Sequence, residues 1–143
     1  LILAIHCEHG FFRVEAQSIR DIRHTPLKYG GYAISYRRGG RTRDGHDDKR
    51  LHAHVAIERR RYLELKAWFL QQALHSRADA PALAFYRLPY EPYAPVRRQF
   101  LNIHRAVNFL RRRAGYHPTP VEAVPLRRRI VRPFEPLPAS ATE

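Results

Sequence analysis

The sequence carries far more positive charge than a small domain holds without a counterion. Its 143 residues include 26 Lys and Arg against 13 Asp and Glu, which gives a formal net charge of +13. Self-repulsion of this size opposes a compact fold unless a polyanion binds, and nucleic acid is the commonest polyanion. Arginine supplies 23 of the 26 cations, and its planar guanidinium can pair with phosphate through two hydrogen bonds. The composition therefore predicts ordered contacts with RNA.

Length and cysteine content narrow the class of protein further. With 44% hydrophobic residues, the chain suffices for one domain with a modest core and extensions. Cys7 is the only cysteine, which excludes an internal disulfide and indicates a reducing compartment or an intermolecular role for the thiol. No run approaches the roughly 20 apolar residues that cross a bilayer. We therefore expect no membrane-spanning segment.

Residues 1–32 predict the start of a small sheet. Leu1–Ile5 and Phe11–Ala16 are short apolar segments rich in β-branched or aromatic residues, and a turn ending at Gly10 separates them. We expect these segments to form a hairpin. The basic segment Ser18–His24 follows, and the pair Gly30-Gly31 permits a bulge or a close backbone approach before another strand.

A charged loop and a further strand come next. Arg37–Arg50 contains three glycines and no hydrophobic residue, which predicts a long exposed loop that can reach phosphates. In Leu51–Ile57, His52 and His54 alternate with apolar residues. This alternation predicts a strand with both imidazoles on one face.

From Glu58 onward the spacing of apolar residues predicts helices. The first covers Glu58–Leu74, the second runs to about Leu88, and the third ends near Gly115 after a proline-rich connector. Tyr116–Glu143 has repeated prolines and few apolar residues, which predicts an extended tail ordered by a partner. The expected fold class is α+β, a small mixed β-sheet packed with two to three helices plus an extended C-terminal tail. The expected domains are residues 1–88, 89–115 and 116–143.

The order of these motifs is similar to that of one known family. Phe11-Phe12-Arg13-Val14, then Arg20 and Arg23, then Gly31-Tyr32 resemble the aromatic strand, basic turn and Gly-Tyr element of the bacterial small-subunit ribosomal protein sixteen family, which has mitochondrial members. The following strand and helices resemble its downstream half. The resemblance covers about residues 1–88, and a long C-terminal extension is expected of a mitochondrial member.

The resemblance implies a structural, non-catalytic constituent of the small ribosomal subunit. It implies binding and stabilising of ribosomal RNA helices beside neighbouring small-subunit proteins, in the mitochondrial matrix or alternatively in a bacterial cytoplasm or another organelle. Such a constituent is not a homo-oligomer and has no membrane contact. Arginines of the basic segments are expected to contact the RNA backbone without reading sequence. These are Arg13, Arg20, Arg23, Arg37, Arg38, Arg41, Arg43, Arg50, Arg59, Arg60 and Arg61.

The resemblance also gives Cys7 a hypothetical role. Some mitochondrial members of that family place a cysteine just before the aromatic strand, where it completes a zinc or iron–sulfur site with the neighbouring small-subunit ribosomal protein eighteen. A closed thiolate site needs about four ligands, so this chain alone would not suffice. The alternative for Cys7 is a buried thiol beside a surface turn.

Two further hypotheses belong to other classes of protein. His52 and His54, followed by Tyr62 and Lys66, resemble the signature of HUH-type single-strand DNA nickases and relaxases, in which two histidines hold a divalent metal and the tyrosine attacks the scissile phosphate. An accessory subunit of a respiratory complex could also be basic, helical and tail-bearing. Such a subunit would copurify with membrane proteins and without RNA.

Overall fold

The computed structural model of the chain describes residues 10–40, 44–46, 48–74 and 79–127, and these form an α+β fold. The predicted fold class is therefore confirmed. The elements are helix α1 (Gly10–Val14), strands β1 (Leu27–Tyr29), β2 (Tyr32–Arg38) and β3 (Leu51–Ile57), helices α2 (Arg59–Gln72), α3 (Asp79–Tyr86) and α4 (Ala94–Arg113), and a 3₁₀ turn at Val121–Ala123.

The three strands form one sheet in the order β1-β2-β3, and both pairings are antiparallel. Gly30 and Gly31, with φ angles of 55° and 80°, join β1 to β2. A two-residue hairpin loop with φ positive at both positions favours glycine, because its twist matches that of the strands. The sequence predicts a mixed sheet, whereas every pairing described here is antiparallel because each strand returns directly beside the one before it. The predicted strand Leu1–Ile5 lies outside the described residues.

The strand predicted for Phe11–Ala16 is wrong, since Gly10–Val14 is a helix. A short apolar run does not distinguish strand from helix, because only length and a partner decide between them. The chain continues beyond α1 in turns, and the carbonyl oxygen of Glu15 accepts hydrogen bonds from the amides of Ser18 and Ile19. The side chain of Val14 is 83% exposed in this helix.

The chain divides into two compact units, residues 1–65 and residues 66–143, with the division inside α2. The first unit contains the sheet. The second contains the core of buried aromatic and aliphatic side chains. Phe69 of α2 stacks on Phe85 of α3 with ring centroids 4.2 Å apart. The buried stripe of α4 consists of Val96, Phe100, Ile103 and Val107, whose spacing puts them on one helical face.

His117 and Thr119 of the predicted tail are held against α4 by hydrogen bonds. The side-chain amide of Asn108 accepts from the backbone N–H of Thr119 at 2.8 Å and donates to the Thr119 carbonyl at 2.9 Å. His104 Nε2 lies 2.8 Å from the same carbonyl oxygen and therefore donates to it. Arg111, 1% exposed, donates to the carbonyl of His117 at 2.6 Å. The sequence predicted a tail ordered by a partner because this segment has few apolar residues. In the structure, polar side chains of α4 instead form hydrogen bonds with its backbone.

We expect Asn108→Ala to destabilise the second unit by about 1–3 kcal/mol, because it leaves a buried backbone amide without its partner. The matched control is Asn102→Ala on the exposed face of the same helix, which should change the free energy of unfolding by no more than about 0.5 kcal/mol. Denaturant unfolding followed by circular dichroism measures both. Equal stability of the two variants would show that the Thr119 contact contributes nothing.

Candidate nucleic-acid interface

The register of the sheet gives it one polar face and one apolar face. Directly opposed residues of antiparallel strands share a face, and Ser35 pairs with His54 while Arg37 pairs with His52. Lys28 of β1, opposite Ala33, belongs to the same face. The other face carries Leu27, Tyr29, Tyr32, Ile34, Tyr36, Ala53, Val55 and Ile57, and it ends at the pair of Arg38 and Leu51. The predicted placement of His52 and His54 on one face of a strand is therefore confirmed.

The described arginines among the predicted RNA contacts are all exposed and all lie in the first unit. They are Arg13, Arg20, Arg23, Arg37, Arg38, Arg50, Arg59, Arg60 and Arg61. Arg41, Arg43 and Cys7 lie outside the described residues, so their roles stay predictions. Some of these exposed guanidinium groups pair with a carboxylate of the protein, and others do not.

The first class consists of arginines already held by a carboxylate. Arg23 donates to both carboxylate oxygens of Asp21, at 2.9 Å from Nε and 2.6 Å from Nη2. The side-chain hydrogen bond from Arg23, supported by its backbone N–H, lowers the pKa of Asp21 to about 2. A phosphate that binds Arg23 must therefore compete with an internal anion.

Two of the three arginines at the start of α2, Arg60 and Arg61, belong to the same class. Arg60 Nε lies 2.9 Å and Arg61 Nη1 3.6 Å from the carboxylate of Glu64. Glu58, which precedes the helix, accepts from the backbone N–H of Arg61 at 3.2 Å and from Lys28 Nζ at 3.0 Å. The lowered pKa of Glu58 results first from the Lys28 hydrogen bond and then from the Arg61 amide. Acidic side chains thus offset part of the repulsion that cations meet at a helix N-terminus.

The second class lies where β2 ends and β3 begins, and we call Arg37, Arg38 and Arg50 the hairpin-end arginines. The register pairs Arg38 with Leu51, and the N–H of Gly39 donates to the carbonyl of Arg50 at 2.8 Å, which brings the three arginines to one end of the ladder. Arg37 Nε donates to Ser35 Oγ at 3.1 Å. No ion pair within the described residues joins these three guanidinium groups to a carboxylate.

Asp48 shapes the loop beside the hairpin-end arginines. Its carboxylate accepts from the backbone N–H of Arg50 at 3.0 Å and lies 2.9 Å from His52 Nε2. The Arg50 amide and then His52 lower the pKa of Asp48. The Asp48 carboxylate therefore accepts a hydrogen bond from the backbone of Arg50, while the side chain of Arg50 remains exposed.

A cleft of about 450 Å³ lies at the other end of the sheet. It surrounds the Gly30-Gly31 turn, and both cations and carboxylates line it, among them Lys28, Arg60, Glu58 and Glu64. Glu58 and Glu64 offset cations of this lining, whereas the hairpin-end arginines form no ion pair with a carboxylate in the described residues. The hairpin end is the better candidate for a phosphate contact.

The histidine pair is incomplete as a metal centre. His52 contacts Asp48, and His54 follows two residues later on the same face. Across the residues that the structure describes, no cluster of three or more His, Cys, Asp or Glu could hold a metal ion. Tyr62 and Lys66 are four residues apart on α2, which puts them on neighbouring turns of that helix.

No family model, no curated protein and no solved structure matches this chain. Within the described ranges, no helix combines the length and the apolar character that crossing a membrane would require. The candidate interface therefore depends on the residues themselves.

We expect the carboxyl group of Asp21 to titrate near pH 2 in the intact protein. Because the folded pKa lies below the ordinary 3.8, the Asp21–Arg23 contact stabilises the loop fully above that value and is lost as the pH falls toward 2. Arg23→Ala should raise the pKa toward 3.8 but not fully, since the backbone N–H of residue 23 still donates. Side-chain carbon NMR measures the midpoint.

Arg20→Ala is the matched control for this titration. Its guanidinium donates to the carbonyls of Gln17 and Ile19 and not to Asp21, so the midpoint of Asp21 should stay where it is. The assignment of Arg23 as the cause of the low pKa would be wrong if Arg23→Ala and Arg20→Ala gave the same midpoint.

Proposed function

We propose that this chain is a non-enzymatic nucleic-acid-binding protein that contacts the backbone of structured RNA through the exposed arginines of its first unit. One observation carries the proposal. The hairpin-end arginines lie at one end of the sheet, with Arg37 and Arg38 on opposite faces, and none of them forms an ion pair with a carboxylate in the described residues. Exposed guanidinium groups that form no ion pair attract phosphate and release its counterions on binding.

The finer proposal is a structural constituent of the small ribosomal subunit, in a mitochondrion or alternatively a bacterial cytoplasm. It is supported by the basic turn with Arg20 and Arg23, by Gly31-Tyr32 at the start of a strand, and by the net charge. The helix at Gly10–Val14 removes one of the motifs on which the resemblance depends. Release of the chain from its native complex by ribonuclease would support an RNA partner. Retention with lipid-embedded proteins would favour the respiratory-complex hypothesis.

We expect the triple variant Arg37→Gln, Arg38→Gln, Arg50→Gln to bind a structured RNA more weakly and with a shallower salt dependence. Each lost phosphate contact reduces the slope of log K against log salt by roughly one, so the triple variant should lose roughly three. Fluorescence anisotropy across a salt series measures the slope.

A matched control removes the same charge from arginines that already have carboxylate partners. Arg23→Gln, Arg60→Gln, Arg61→Gln also loses three cations, and its slope should fall by less because Asp21 and Glu64 hold those groups in the free protein. Identical slopes for the two triple variants would refute the selective role of the hairpin end. A wild-type affinity independent of salt would refute backbone binding altogether.

A second candidate function is single-strand DNA nicking. It is favoured by one observation, the position of His52 and His54 on the same face of an antiparallel sheet directly before a helix that carries Tyr62. Two imidazoles are fewer ligands than a catalytic metal centre uses, and the described residues add no group of three. We therefore rank nicking below binding.

A cleavage assay separates the two candidate functions. If the chain is a nickase, single-stranded DNA with added Mg²⁺ or Mn²⁺ should be cut, a covalent adduct should form, and Tyr62→Phe should abolish both. If the chain only binds, the labelled strand stays intact in either metal while anisotropy still reports a complex. Cutting that persists in Tyr62→Phe would exclude Tyr62 as the nucleophile.

A further inference from the structure

The solvent face of α4 carries a row of arginines that the proposed interface does not use. Arg98, Arg105 and Arg112 are seven residues apart, which is almost two helical turns, so they share one side of the helix. At a rise of about 1.5 Å per residue the row is about 21 Å long. All three side chains are exposed. We call this row, with Phe109, the α4 basic face.

The α4 basic face has no compensating charge on its own helix. The sequence of α4 contains no acidic residue. Among the described residues, no hydrogen bond or ion pair engages the side chains of Arg98, Arg105 or Arg112. A solvated helix face usually mixes both signs of charge, and this one does not. The row is therefore complementary to a polyanion.

Phe109 adds an aromatic contact to the basic face. It lies between Arg105 and Arg112 in the helical row and is 60% exposed, while the guanidinium carbon of Arg113 is 5.7 Å from its ring centroid. An exposed aromatic ring beside cations is the arrangement on which unpaired bases stack, with the arginines on the adjacent phosphates.

The opposite face of α4 limits the choice of partner. A basic amphipathic helix binds a membrane by inserting its apolar face, but here Val96, Phe100, Ile103 and Val107 are fully buried in the core of the second unit. Phe109 is the one large apolar side chain of α4 that is exposed, and it lies in the arginine row. An aqueous polyanion with aromatic groups fits this face better than a lipid surface does.

We propose that the α4 basic face binds a single-stranded segment of nucleic acid, with Arg98, Arg105 and Arg112 on phosphates and Phe109 against a base. This inference rests on the proposed function for the class of partner, but it names a second surface, in the other unit, and the unpaired strand as its ligand. It requires none of the hairpin-end arginines.

The experiment compares two double variants that lose equal charge from the second unit. Arg98→Gln, Arg105→Gln should lower the salt slope for a mixed-sequence single-stranded oligonucleotide by roughly 1.4, at about 0.7 for each phosphate contact. Arg87→Gln, Arg127→Gln, which changes exposed arginines outside α4, should leave the slope unchanged. Phe109→Ala should weaken binding of the oligonucleotide roughly tenfold and affect a fully paired duplex less.

The outcomes separate this inference from the proposed function. If the wild type binds nucleic acid and the hairpin-end variant weakens binding, but the two double variants behave alike, the α4 inference is overturned and the proposed function stands. If the wild type binds neither oligonucleotide nor structured RNA, both are overturned. Binding of the wild type only to phosphatidylserine vesicles would likewise overturn both. Circular dichroism of each variant verifies folding, and a misfolded Phe109→Ala leaves the arginine pair as the decisive comparison.

Discussion

Repulsion among 26 cationic side chains is the constraint that shapes this protein. Burying a charge without a partner costs several kcal/mol, so a small core can form only if almost all of these side chains remain at the surface. The described fold meets this condition by building its core from Phe69, Phe85, Phe100 and the aliphatic residues of α4. The exposed cations are spread over both units, and carboxylates such as Asp21 and Glu64 pair with only some of them.

Arg111 is the one cation that the described core accepts, at 1% exposure. Its guanidinium donates to the carbonyls of His117 and Ala73, and hydrogen bonds of this kind replace the water that burial removes. The residue therefore joins the end of α2, the end of α4 and the segment that follows α4 within one unit. His104 and Asn108 extend the same arrangement to Thr119. Helix α4 thus buries a polar edge formed by His104, Asn108 and Arg111, while its row of arginines remains exposed to solvent.

Sequence reasoning predicted the elements whose signals are local and failed where the outcome depends on distant partners. Alternation in Leu51–Ile57, helical spacing after Glu58 and glycine beyond α4 are local, and the structure has β3, α2 and Gly115 with a φ of 76° at those positions. The helix α1 was missed because five residues contain too little periodicity to distinguish helix from strand.

The sequence predicted which arginines are exposed, but it did not predict which of them pair with a carboxylate. Exposure of the arginines follows from their charge, and the sequence alone indicates it. Which of them have carboxylate partners depends on positions such as Asp21 and Glu64, whose side chains contact Arg23, Arg60 and Arg61 at short range. The seven-residue spacing of Arg98, Arg105 and Arg112 is present in the sequence. Its significance depends on knowing which face the core buries.

Two cationic surfaces on separate units of one chain would together determine its affinity for RNA. Under the two proposals each surface would contact few phosphates, and a few charge-assisted contacts alone give weak, salt-sensitive binding. When both belong to one chain, the second contact forms within a complex that already exists, so a high effective concentration replaces the bulk concentration of ligand. The gain requires an RNA that offers a folded region to the sheet and an unpaired strand to α4. Specificity for such a partner would then arise from the combination of ligand shapes, without a side chain that reads a base pair.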